Sequence, residues 1–149
     1  MKIMTLLLTA LVFFSLNSCE SPSLMGKKVK KEYFTGGKVR SEFIMDDDTE
    51  QNGLLKMYGY GGHLTSTVHI RNGVKNGLET GFDKKKRVLW KQTYINGKLH
   101  GLQQALYPNG EVMISYTYNN GFKHGPAYTY KRNGKIDKRA IYRNGRLIN

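Results

Sequence analysis

Glycine recurs through this chain with a period of 24 residues. Gly53, Gly77, Gly101 and Gly125 form one series, and Gly73, Gly97, Gly121 and Gly145 form a second. A third contains Gly62, Gly110 and Gly134, with Lys86 at the missing step. Apolar positions keep the same step: Ile70, Tyr94, Tyr118 and Tyr142 in one register, Tyr58, Phe82, Leu106 and Tyr130 in another. Self-similarity at a fixed period marks a repeat architecture, in which each unit buries its apolar side only by stacking on its neighbours. A chain of 149 residues allows one such domain and leaves little room for a large enclosed core.

The residues between the glycines say what each unit is. Eight of the eleven asparagines precede glycine, at Asn52, Asn72, Asn76, Asn96, Asn109, Asn120, Asn133 and Asn144. Asn-Gly is the strongest short-range hairpin signal, because a type I′ turn needs positive φ at both central residues and these two adopt it with least strain. Within residues 78–101, Leu78, Thr80 and Phe82 alternate with their neighbours; a turn follows around Lys84 to Lys86, and Val88, Trp90 and Tyr94 lie on the returning segment. Period two between turns predicts strands. Ile95-Asn96-Gly97-Lys98 then leads to the next unit. The first unit is irregular, with Asp46-Asp47-Asp48-Thr49-Glu50-Gln51 carrying extra length, and the last stops at Asn149, as degenerate caps often do.

The recurrent segments Tyr94-Ile95-Asn96-Gly97-Lys98-Leu99-His100-Gly101 and Tyr107-Pro108-Asn109-Gly110-Glu111-Val112 resemble the MORN-repeat variant found in many bacterial proteins, including a group named for the YwqK-type antitoxin. The resemblance covers roughly residues 29 to 149. It implies a β-hairpin array used for binding or scaffolding, and it transfers no catalytic residue. The expected fold is all-β: an elongated single-layer antiparallel sheet of tandem 24-residue hairpins, about five units, following an N-terminal signal peptide.

That signal peptide is expected over residues 1–18. Lys2 gives a short positive start, and residues 3–19 carry no charge, a span of 17 residues at the lower limit for a permanent membrane helix. The stretch closes with Leu16-Asn17-Ser18-Cys19, which resembles the bacterial lipobox, where cleavage between Ser18 and Cys19 follows attachment of a diacylglycerol to the cysteine sulfur. Asn17 departs from the usual small residue, and an ordinary signal peptide with an incidental cysteine is the competing reading. Residues 19–28 would then be a lipidated cysteine and a polar, basic tether, with Lys27, Lys28, Lys30 and Lys31 close to the bilayer. Cys19 is the sole cysteine, so an intramolecular disulfide and the usual cysteine-based metal sites are excluded.

The formal charge is +13, from 24 basic and 11 acidic residues, which makes acidic partners or anionic surfaces candidates without naming one. No cofactor or metal is expected. His100 and His124 occupy equivalent slots, two strands or roughly 10 Å apart, too far to share one zinc, and turn chemistry explains them. Asp46-Asp47-Asp48 lacks the ligand spacing and glycine of a calcium loop. No nucleophile elbow or phosphate loop is found, so an enzyme is not expected. Trp90, Tyr94, Tyr116, Tyr118 and Tyr142 form an aromatic row, and two readings stay open for it. One is cross-strand packing. The other is an exposed stacking face flanked by Lys84, Lys85, Lys86, Arg87, Lys91 and Arg139, suited to an anionic glycan, lipid headgroup or acidic protein.

The functional expectation is a non-enzymatic envelope lipoprotein whose sheet binds or scaffolds an unknown protein or an anionic envelope component. It would be held to a membrane by its lipid anchor, without nucleic acid as a partner. The alternative is an antitoxin or immunity protein that neutralises a cognate toxin by direct contact.

Overall fold

A computed structural model describes residues 26–149. The expected signal peptide with Ser18 and Cys19 lies outside the described residues. Among them there is no helix. The strands are β1 (Val29–Tyr33), β2 (Val39–Met45), β3 (Gly53–Tyr58), β4 (Leu64–Arg71), β5 (Val74–Phe82), β6 (Val88–Ile95), β7 (Lys98–Leu99), β8 (Gly101–Leu106), β9 (Val112–Asn119), β10 (Phe122–Tyr130), β11 (Ile136–Arg143) and β12 (Arg146–Leu147). They form one open antiparallel sheet in sequence order, with the short β7 pairing β6 beside β8. This is the elongated single-layer hairpin sheet that the periodicity predicts.

Two turn types alternate along the sheet, and only one of them is the type I′ turn expected of every Asn-Gly pair. At one end, Asn72-Gly73, Asn96-Gly97, Asn120-Gly121 and Asn144-Gly145 have φ near +50° at Asn and +74° to +88° at Gly, the I′ signature. Asn96-Gly97 therefore closes a tight hairpin between β6 and β7, and does not merely lead onward. At the other end, a three-residue loop recurs: Gly110 N–H donates to the Tyr107 carbonyl (2.9 Å) and Tyr107 N–H to the Glu111 carbonyl (2.8 Å). Loops at 34–38, 59–63, 83–87 and 131–135 repeat these bonds. Each places Gly37, Gly62, Lys86, Gly110 or Gly134 in the left-handed region, the first loop adding Gly36, and is followed by a one-residue register shift. Asn109 and Asn133 belong to this second type, where only the glycine needs positive φ.

Successive units are tied at the I′ end by a column of backbone bonds. Gly73 N–H donates to the carbonyl of Gln51 (2.9 Å), Gly97 to Lys75, Gly121 to Leu99 and Gly145 to Lys123 (2.8 Å each). Donors and acceptors both step by 24 residues, so the covalent period becomes a hydrogen-bonded one.

The register pairs the ladders with each other. Gly53 lies opposite Ile70, Gly77 opposite Tyr94, Gly101 opposite Tyr118 and Gly125 opposite Tyr142. Each large residue is thus paired across the ladder with a glycine, on a sheet that no second layer covers. Burial is correspondingly thin. Val68 at 1% exposure, Ala127, Ile44 and Met45 are the buried apolar residues among those described. The same registers place Trp90, opposite Gly81, on the face that carries Tyr94. Leu78, Thr80 and Phe82 point to the opposite face, and Leu78 and Leu102 there are each 51% exposed.

Candidate binding face

The Trp90 face has a polar centre and an aromatic end. At the centre, Glu79 of β5 is buried, and Lys75 Nζ reaches its two carboxylate oxygens at 2.8 and 2.9 Å. Gln92 of β6 donates from Nε2 to Glu79 Oε2 (2.8 Å) and to the Tyr94 hydroxyl (2.9 Å), and Gln103 of β8 donates to Gln92 Oε1 (3.1 Å). A buried carboxylate is tolerated here because each oxygen has a donor. Lys75 Nζ also stands 5.0 Å from the Tyr94 ring centroid. Burial, and then the Glu79 charge, pushes the Tyr94 phenol above its ordinary value.

At the aromatic end, Tyr116 meets Tyr118 edge to face at 6.5 Å between centroids, and Tyr142 likewise at 6.3 Å and 70°. Lys123 of β10 lies in that corner, its ammonium 3.6 Å from the Tyr116 centroid and 5.1 Å from that of Tyr142. Such contacts hold a lysine over a ring while leaving its charge available. Beside them a cleft of about 220 Å³ opens over Ala127 and Ala140, with Ile114, Thr129 and Lys138 on its margin. Thr129 Oγ1 is buried and has no hydrogen-bond partner.

The charge of the described residues is unevenly neutralised. Lys27 pairs with Asp46, Lys28 with Asp48, Lys30 with Glu50, Lys31 with Glu42 and Arg40 with Glu32, at 2.7 to 3.0 Å. The four lysines expected at a bilayer are thus engaged by the chain's own carboxylates, three because the acidic insertion folds back beside β1 and Lys31 through Glu42 of the paired β2. Asp47 caps that loop, accepting from Thr49 N and Oγ1 and from Asn52 Nδ2. A wider groove of about 670 Å³ beside it is lined by Asp46, Asp47, Arg71 and Asn72, among others, with both aspartates already bonded. By contrast, residues 112–149 hold eight lysines and arginines and one acid, Asp137, whose nearest approach to a cation is 3.9 Å, to Lys131. Among the described residues, no three His, Cys, Asp or Glu side chains are placed to hold a metal.

No family model matches the chain, and no curated protein matches it. Among solved structures it is similar to S. aureus TarM. A mutant in complex with Fondaparinux, alpha-GlcNAc-glycerol and UDP aligns at 12% identity and a TM-score of 0.45, covering 70% of this chain and 20% of that one. A second TarM crystal structure aligns at 11% and 0.44, covering 66% and 22%. The chain spans about a fifth of the length of those proteins, and the likeness carries no functional inference.

The register brings Trp90, Tyr94, Tyr116, Tyr118 and Tyr142 onto one face, as an aromatic row requires. The cations named from sequence are placed differently. Lys91 and Arg139 belong to the opposite face, where Arg139 covers Tyr128 at 5.6 Å. Lys84, Lys85 and Lys86 sit in the loop at the far end of β5 and β6 from Tyr94, and Arg87 bonds Asp83. They are near Tyr94 in sequence, but a hairpin separates strand ends by its full length. The cations that do cover the rings are Lys75 and Lys123, which fall on the 24-residue step through Leu99, the one sequence signal that marks them.

Proposed function

We propose that this protein is a lipid-anchored, non-catalytic repeat protein of the MORN kind in the bacterial envelope, whose sheet binds an anionic partner. The observation that carries the reading is the separation of charge. Among the described residues, seven of the eight ion pairs fall within residues 27–87, while the C-terminal strands keep a strong excess of unneutralised cations around half-buried tyrosines. Cations in that state attract an anionic partner at long range and lose affinity as salt rises. The partner is an anionic envelope component or an acidic protein surface. The anchor is supported by the apolar run of residues 3–14 and by Cys19 at the end of a lipobox-like segment.

Two measurements test this. Fatty-acid labelling in cells should mark the natural protein and not Cys19→Ala; an unlabelled, soluble natural protein would remove the anchor. Binding to immobilised poly-glutamate should weaken at least tenfold in the triple variant Arg132→Glu, Lys135→Glu, Arg146→Glu. A charge reversal of Lys27, Lys28 and Lys30 of equal size should have the smaller effect. Equal losses from both ends would sink the charge-separation reading.

A further inference from the structure

We infer that the cleft beside Tyr116 and Tyr142 is a site for one sugar-sized ring bearing an acidic group, a uronate or a sugar phosphate. The inference rests on the anionic-partner reading and deepens it. The cleft's floor is two alanine methyls, Ala127 and Ala140, directly opposite each other, so no larger side chain fills it there. Tyr116 and Tyr142, two phenol rings in edge-to-face contact with centroids 6.3 Å apart, line one side, and a phenol ring stacks on the C–H face of a sugar. At about 220 Å³ it admits a single ring rather than a polymer segment laid flat.

Two polar features choose the chemistry of the occupant. Thr129 Oγ1, on the cleft margin, is buried without a hydrogen-bond partner among the described residues, and a sugar hydroxyl, which both donates and accepts, would supply one once the threonine side chain turns toward the cleft. Lys138 lines the cleft and Lys123 covers the Tyr116 ring beside it, and neither lies within 4.0 Å of a carboxylate among the described residues. An anion on the occupant would meet Lys138. A peptide held by its main chain would add to the outer edge of β11 over residues 136–140, which β12 does not pair, and not to the cleft floor, where β10 is paired on both sides.

The test is methyl NMR of the full chain titrated with digalacturonate, galactobiose, glucose 1-phosphate, sodium acetate and an acidic hexapeptide. Digalacturonate or glucose 1-phosphate should shift the Ala127, Ala140 and Ile114 methyls saturably, and which of the two binds tighter identifies the acid. Galactobiose should bind at least tenfold more weakly. Lys138→Ala, an exposed change, should weaken the charged probe about fivefold with unchanged thermal unfolding, and Ala140→Leu should fill the cleft. Equal shifts from acetate, a response to the hexapeptide alone, or no shift with any probe would overturn the site. If poly-glutamate is still retained in that last case, the anionic-partner reading survives and the cleft does not; if both vanish, both fail.

Discussion

Trp90 lies across Gly81, its directly paired neighbour, so closely that a methyl group at Gly81 would overlap the indole. The glycine is a space requirement set by the opposite strand, since its own φ is not in the left-handed region. Gly81→Ala should displace the indole toward solvent and cost about 1–3 kcal/mol, the usual range for overpacking. Tryptophan emission, from the sole tryptophan, should shift to the red and become more accessible to acrylamide. An unchanged spectrum with unchanged stability would contradict the packing.

Lys86 holds the left-handed position that glycine holds in the other four three-residue loops, with φ +62°. A side chain there is strained by about 1–2 kcal/mol, part of which glycine returns as unfolded-state entropy. Lys86→Gly should therefore stabilise the protein by about 1 kcal/mol, whereas Gly110→Ala should destabilise it by a similar amount. Both are read as shifts in the denaturation midpoint at constant slope.

The Tyr58 hydroxyl donates to Glu42 Oε2 at 2.6 Å. Burial, followed by that carboxylate, pushes the phenol from 10.0 up to about 12, and the same bond, with Lys31, holds Glu42 below the ordinary glutamate range. Tyr58 favours the protonated folded state, so its contribution is complete below pH 10 and is lost as pH rises from 10 to about 12. Glu42 favours the ionised folded state, so its contribution is lost as pH falls through its lowered folded value. The stability gap between the natural protein and Tyr58→Phe should be widest near neutral pH and shrink toward both extremes. A gap independent of pH would count against the pair.

Lys75→Ala removes the ammonium that neutralises buried Glu79 while leaving Gln92 in place. Since the Lys75 side chain is 38% exposed and water can replace it in part, the loss should be about 1–2 kcal/mol, below that of a fully buried pair. Adding Glu79→Gln should recover part of it, because the uncompensated charge disappears. A double variant no better than the single one would show that packing of the lysine stem dominates.

The sequence by itself determined the repeat, the strand content and the order of hairpins. Those depend on turn chemistry and period-two alternation within about twenty residues, and the 24-residue spacing of Gly73, Gly97, Gly121 and Gly145 states both. The acidic insertion at Asp46 to Gln51 was equally legible as extra length. Only the tertiary structure decided that the glycine and tyrosine ladders face each other. Two residues share a face according to register, and register depends on bulges that a periodic string does not display, such as the one that sets His124, Gly125 and Pro126 against Thr117. Only the tertiary structure, too, put Lys75 and Lys123, and not Lys84–Arg87, over the tyrosine rings, and paired Lys27, Lys28 and Lys30 with the acidic loop. Charges are compared across strands in space, roughly 5 Å apart, whatever their distance along the chain.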